Sequence, residues 1–383
     1  MQFSEIIGQE TVKQKLIQTV QENRVSHAQL FLGPGGSGKL ALAVAYAQYI
    51  NCNSRSEYDS CGVCPSCQQF SKLAHPDLHF SYPIIINKEK RRTLSRDYVT
   101  EWREYLLEKH FYAELTEWYA KMESEKKQGV IGADECNEII RTLSYKSYEG
   151  KYKVMIIWMA ERLYHSAAPK ILKILEEPPE KTLFILIAEK QEQIISTILS
   201  RTQIVKVPRL EDKALTSILS TQFGYPMDGI QNILPSSNGN VNLGIKALEE
   251  SMSGEFSSGE FREWMLMCFK GEYKKLNDFV SKTARTSRAK QKLLLSYGLS
   301  LSRNCLLSIY GRKDMLSIID KDEADFIGKI SKFLNEKNAM AYAGLFEEAI
   351  LHIDRNGNAA VVLMDVSLKA GQLLNPAISE NRR

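Results

Sequence analysis

Apolar positions along the chain follow two spacings. Short runs rich in apolar residues at 30–32, 78–82, 153–157, 182–188 and 204–207 have the length of strands. Between them apolar residues return every three or four positions, as Ile6, Ile7, Val12, Leu16, Ile17 and Val20 do. That spacing predicts helices over about 11–23, from 40 onward, and over 131–143 and 167–177. Strands alternating with helices imply an α/β fold with a mainly parallel sheet over 1–208. Past 208 the strand signal stops. Helices at 215–223, 229–234 and 241–250 form a small helical unit over 209–250, with a turn at 236–240. A stretch rich in Ser and Gly at 251–259 reads as a linker. Helical patterns at 261–269, 272–282, 289–310, 317–335, 340–350 and 359–374 then predict a separate all-α domain over 251–374. The tail 375–383 is expected to be disordered.

One segment breaks the alternation. From about 88 to 129 aromatic and apolar residues recur at helical spacing among alternating charges, which predicts one or two amphipathic helices inserted into the α/β domain. Lys88, Lys90, Arg91 and Arg92 open this segment. Beside Glu-rich helix they read as a solvated face rather than a nucleic-acid contact.

Composition narrows the class. The chain has 383 residues, 44% hydrophobic and 25% charged, with a net charge of +4. That size accommodates two or three domains, and the charge is too small to imply nucleic-acid binding by itself. No apolar run is long enough to span a bilayer, and the start MQFSEIIGQE lacks the features of a signal peptide. A cytoplasmic protein without membrane contact is expected.

Candidate chemistry begins where the first strand ends. Gly33, Pro34, Gly35, Gly36, Ser37, Gly38 and Lys39 form the pattern G-x-x-x-x-G-K between a strand and a helix. Such a loop curls backbone N–H groups around phosphate, and the helix N-terminus adds its dipole. The next position should hold Ser or Thr for Mg²⁺, but Leu40 stands there. In a P-loop ATPase the strand at 153–157 should end in an acidic pair, one residue for the Mg²⁺ shell and one to polarise water. Trp158 and Met159 occupy those places, and Glu161 comes too late to replace them. Three losses together predict a chain that descends from a P-loop ATPase but does not hydrolyse ATP. Lys39 and the backbone amides remain, so nucleotide binding is expected to be weak or absent.

Four of the seven cysteines, Cys52, Cys61, Cys64 and Cys67, crowd into one segment at spacing C-x8-C-x2-C-x2-C. Two-residue gaps let a turn present thiolates to one tetrahedral ion, which predicts a structural Zn²⁺ module at 52–67. His75 and His79 are alternative ligands, but four thiolates already close the shell. Cys136, Cys268 and Cys305 lie singly in helical patterns and read as core. His27, before the first strand, reads as structural.

The run 3–10, the segment 26–31, the P-loop, the four-cysteine module, Leu175-Glu176-Glu177-Pro178-Pro179 and 197–202 occur in this order. Over about 1–250 the chain resembles the bacterial DNA polymerase III clamp-loader AAA+ subunits, most nearly the delta-prime branch. The resemblance implies an AAA+ domain with an inserted zinc module, a small helical lid and a C-terminal collar that joins subunits into a ring. Hydrolysing members keep the Mg²⁺ residues that Leu40 and Trp158 replace and the water-polarising acid that Met159 replaces. Glu189 falls where they often have a small polar residue sensing the γ-phosphate, and Asn242 where an arginine often reaches back to nucleotide. Ser200-Arg201-Thr202 departs from the family's Ser-Arg-Cys by one residue and keeps the arginine. In the family this arginine acts in trans as a finger in the neighbouring subunit's ATP site, and an alternative reading makes Arg201 a structural ion-pair residue. The implied partners are gamma/tau-like ATPase subunits and a delta-like subunit, with the sliding clamp and primed DNA reached through the complex. The resemblance assigns no role to the insertion.

Two other readings compete with a non-catalytic clamp-loader subunit. One is an active gamma/tau-like ATPase using Glu161 or a neighbour's acid. The other is a zinc protein that contacts DNA through 52–67 and 88–92.

Overall fold

The computed structural model describes residues 1–86, 92–122, 129–164, 168–252, 258–311, 321–334, 338–355 and 357–375. Lys88, Lys90 and Arg91, the core of the 251–259 linker and nearly all of the 375–383 tail therefore lie outside the described residues. The chain divides into two compact units: 1–218 with 239–242, and 219–238 with 243–383.

The first unit is built on five strands: β1 (Ala28–Leu32), β2 (Leu78–Ser81), β3 (Lys153–Trp158), β4 (Thr182–Ala188) and β5 (Gln203–Lys206). Their order is β2-β3-β4-β1-β5 and all pairs are parallel, as the alternation of strands and helices predicts. β3 and β4 are buried at every position because both their faces are covered. One face carries α1 (Glu10–Gln21), α2 (Lys39–Asn51) and α3 (Pro65–Ser71). It also carries the inserted helices α4 (Val99–Glu108) and α5 (Leu115–Lys121). The other face carries α6 (Ala133–Ser144), α7 (Ala168–Glu176) and the short α8 (Ser196–Leu199). α2 is buried at every position, so it runs through the core rather than along a surface.

The insertion is a packed part of this unit. It is closed at its base by an antiparallel bridge between Ile84 and Val130. Trp102, Tyr105, Leu106 and Trp118 are all buried. Tyr82 stacks on Trp102 at 4.1 Å, Trp118 meets Trp102 edge-on at 4.9 Å, and its indole N–H donates to the Pro83 carbonyl at 3.0 Å. Arg92, the described member of the basic cluster, pairs with Glu101 and lies over the Tyr98 ring.

α9 (Asp212–Thr221) follows β5. In the second unit α10 (Met227–Ser237) and α11 (Val241–Met252) precede α12 (Ser258–Lys270), α13 (Tyr273–Thr283) and α14 (Arg288–Ile309). α15 (Lys321–Ile330), α16 (Ala339–Asp354) and α17 (Ala359–Leu374) end the chain. All the described elements past β5 are helical, as the spacing predicts. α10 runs on through Ser237, where a turn was expected, and the Ser237 hydroxyl donates to the Ile233 carbonyl of its own helix. The reversal follows at Asn238 and Gly239, both left-handed. Helix also extends into both ends of the expected linker, to Met252 and from Ser258. Phe261, Trp264, Tyr342 and Phe346 form the centre of a helical core.

Candidate functional site

The P-loop sits between β1 and α2 as the sequence predicts. Gly36 and Gly38 have φ of 63° and 85°, and a side chain at Gly36 would collide with Asn240. Lys39 does not reach outward. Its ammonium donates to the Gly33 carbonyl at 2.7 Å and to the Pro34 carbonyl, and lies 3.5 Å from the Ser37 hydroxyl. Burial lowers its pKa to about 8, with nearby Glu189 and Glu161 pulling it partly back up.

Residues at the places where a P-loop ATPase would handle Mg²⁺, water and γ-phosphate meet around this lysine. Leu40, Trp158, Met159 and Glu189 line one cavity with Gly36, Ser37, Gly38 and Lys39. The Trp158 indole, part of this lining, also packs on Trp102 of the insertion, ring centres 5.1 Å apart. Met159 is held left-handed, with φ of 57°, at the end of β3. Glu161 lies on the short turn beyond it, and one carboxylate oxygen accepts the Glu189 N–H at 3.0 Å. Burial raises the Glu161 carboxyl above the ordinary range.

Three residues that the sequence did not single out complete the cavity: Phe111, Tyr112 and Ala113, from the turn between α4 and α5. Together with the rest they leave about 20 Å³, room for one water molecule. Asn242, expected where an arginine reaches nucleotide, is buried and directs its amide to the Ala113 carbonyl at 3.5 Å. Asn240 was also missed. Its side-chain oxygen accepts the Asn242 N–H at 2.9 Å and lies against Gly36. No local pattern marks these residues, because their role depends on contacts across more than seventy positions.

The four cysteines converge. Their sulfurs all lie within 4.8 Å of one another, with Cys52–Cys64 at 4.0 Å and Cys61–Cys67 at 3.9 Å. A tetrahedral Zn–S shell of ~2.3 Å bonds has edges of roughly 3.8 Å, so two pairs already stand near that spacing and the set fits zinc with at most a small contraction. The Cys61 N–H points at the Cys52 sulfur and the Cys64 N–H at the Cys61 sulfur, each at 3.3 Å, an arrangement that favours thiolates. Cys52 caps the C-terminus of α2, the P-loop helix, and Cys64 caps the N-terminus of α3. The chain start is strapped to the module, since Asp59 accepts the Phe3 and Ser4 N–H groups.

His75 and His79 stand apart from this set. His75 stacks on Phe70 and accepts the Asp77 N–H. His79 is held neutral by burial, its pKa down at about 4. Asp77, next to them, is a structural hub: its carboxylate accepts the N–H groups of Tyr148, Glu149 and Gly150. Cys136, Cys268 and Cys305 are buried core residues as expected.

Arg201 lies on the turn after α8 and lines none of the P-loop cavity. It pairs with Glu176 and donates to the Thr197 carbonyl at 2.9 Å, with about a third of its side chain exposed. The pair is half-exposed, so a competing anion can take the guanidinium at modest cost.

A family model described as DNA polymerase III, delta subunit matches residues 8–211, just over half of the chain. DNA polymerase III subunit delta' of Bacillus subtilis is 27% identical over 251 residues, 65% of this chain and 61% of that protein. Subunit delta' of Escherichia coli is 25% identical over 232 residues, 61% of this chain and 57% of its own length. Subunit gamma/tau of Mycobacterium tuberculosis is 28% identical over 218 residues, 57% of this chain but 30% of the relative. The chain thus spans less than two thirds of the relatives it matches. Among solved structures, the gamma subunit-related protein of Thermotoga maritima aligns over 95% of this chain and 99% of its own, at 15% identity and a TM-score of 0.40. Among the described residues no helix is long and apolar enough to cross a membrane.

Proposed function

This chain belongs to the family described as DNA polymerase III, delta subunit, the clamp-loader family its sequence resembles, and we propose that it is a delta-prime-like subunit that hydrolyses no ATP of its own. In this reading it lends Arg201 to the ATP site of a neighbouring gamma/tau-like subunit. The assembly, with a delta-like subunit, then loads the sliding clamp on primed DNA. The α/β domain serves as a AAA+ module, 209–250 as its lid and 251–374 as the collar. The four cysteines hold a structural Zn²⁺.

One contrast carries this reading. The chain has lost the groups that would handle Mg²⁺ and water in its own site, with Leu40, Trp158 and Met159 in their places and Lys39 turned back on the Gly33 carbonyl. Yet it keeps a partly exposed arginine on a short turn, held by a carboxylate that can release it. A surface guanidinium of this kind suits charge developing on another subunit's γ-phosphoryl group. Glu161 gives the active-ATPase reading little support, because its carboxylate holds the Glu189 N–H.

The test is ATP turnover of the reconstituted loader with clamp and primed DNA, wild type against Arg201→Ala, with the isolated chain as control. The isolated chain is expected to be silent. An arginine finger is worth roughly 10³–10⁵ in rate at the site it completes, so the mutant assembly should lose that site's whole share of turnover. Equal rates would reduce Arg201 to the Glu176 ion pair, and turnover by the isolated chain that Lys39→Ala abolishes would overturn the silent-site reading.

A further inference from the structure

The space in front of the P-loop is filled by the protein's own backbone and side chains. The Tyr112 ring lies against Gly38, 3.8 Å from where a Cβ would be, and Phe111 and Ala113 line the same cavity. Phe111 and Tyr112 are only 6% and 4% exposed. From the opposite side Asn240 presses on Gly36, the Val241 N–H donates to the Gly36 carbonyl, and Asn242 reaches Ala113. What remains holds a single water, far less than a triphosphate needs.

The turn that does this is held in an uncommon conformation. His110 and Phe111 are both left-handed, with φ of 47° and 67°, and neither is glycine. Such residues persist only where surrounding contacts over-determine them. Here the Phe111 N–H donates to the Leu106 carbonyl and the Tyr112 N–H to the Lys109 carbonyl, each at 2.8 Å. The Tyr105 hydroxyl clamps the far side, accepting the Glu114 N–H at 2.8 Å and donating to the Glu114 carbonyl at 3.0 Å. The floor matches the plug. Leu40, Trp158 and Met159 give an apolar surface where a nucleotide site would be hydrophilic, and Trp158 packs directly on Trp102 of the insertion. Trp158, at an expected metal position, is thus also a residue on which the insertion rests.

We propose that the inserted segment is a built-in occupant of this chain's own nucleotide cradle. The Phe111–Tyr112–Ala113 turn stands where a nucleotide would, and it fixes the P-loop and the 240–242 segment in one conformation without ATP. This deepens the silent-site reading given above and rests on it, but it is tested apart from Arg201.

The experiment uses the full zinc-loaded chain and two readouts. The first is titration with a fluorescent ATP analogue and Mg²⁺, where no saturable binding is expected. The second is labelling of lysines with an amine-acetylating reagent, read by mass spectrometry. The Lys39 amine gives up its proton more easily than an ordinary lysine, so slow labelling there reports blocked access rather than low reactivity. Lys39 is expected to label far more slowly than exposed lysines, with or without the analogue. Tyr112→Ala is expected to speed its labelling by about tenfold or more as the cradle opens. The wild-type comparison with and without analogue stands even if that variant does not fold. Saturable binding by the wild type that Lys39→Ala removes would overturn the proposal. So would fast wild-type labelling of Lys39, or unchanged labelling in a folded Tyr112→Ala chain. Any of these leaves the Arg201 assay free to succeed, since a chain that binds nucleotide can still lend an arginine.

Discussion

Lys39 shows how one side chain reports the state of a whole site. An open P-loop offers its lysine to phosphate, whereas here the ammonium is buried among carbonyls and its pKa falls to about 8 from 10.5. Because the folded value is the lower one, the unfolded chain binds more protons between these two values. Stability therefore rises with pH through that window, by up to about 1.4 kcal/mol per pH unit. The cost is fully present below pH 8 and relieved above 10.5. Denaturant midpoints measured across this range should climb in the wild type relative to Lys39→Met. Parallel curves would mean that Lys39 is solvated. Arg201 is the opposite case, a cation at the surface whose pairing with Glu176 is exchangeable.

Among the elements, α2 links the two sites. Its N-terminus follows the P-loop and its C-terminus is capped by Cys52. Removing the metal should loosen α2, the Cys64-capped α3 and the chain start tied through Asp59 together. Cys64→Ser is expected to lower bound zinc and to cost about 2 kcal/mol or more, a fall in melting temperature of roughly 4–8 °C. Metal analysis beside calorimetry checks this, and full zinc with an unchanged transition would remove Cys64 from the ligand set. The insertion is the second element of consequence. Its amphipathic spacing is plain in the sequence, and two helices, α4 and α5, form within it. Its docking face is not plain, because Trp102 meets Trp158 across more than fifty residues.

At the scale of the molecule, each of the two units has its own core. In the all-helical unit Trp264 is fully buried, donates to the Ser367 hydroxyl at 2.8 Å and stacks on Phe279. Trp264→Ala is expected to cost about 3–5 kcal/mol there, while zinc content and Lys39 labelling of the first unit stay as in the wild type. Loss of zinc on this substitution would show that the cores are not separate.

Much of this protein was legible in its sequence because the signals are local. Strand length, helical spacing, the glycines of the P-loop and the paired cysteine gaps each act within a few residues, and each lies where its physics requires. That Leu40 and Trp158 offer no oxygen to Mg²⁺ and Met159 no carboxylate to water was readable in the same way. Only the tertiary structure decided what fills the space they leave. Phe111, Tyr112 and Asn240 carry no motif, and they meet each other and Asn242 from segments distant in the chain. Their meeting depends on how aromatic surface is buried over a sheet, and burial is settled by the whole packed core rather than by any stretch of it.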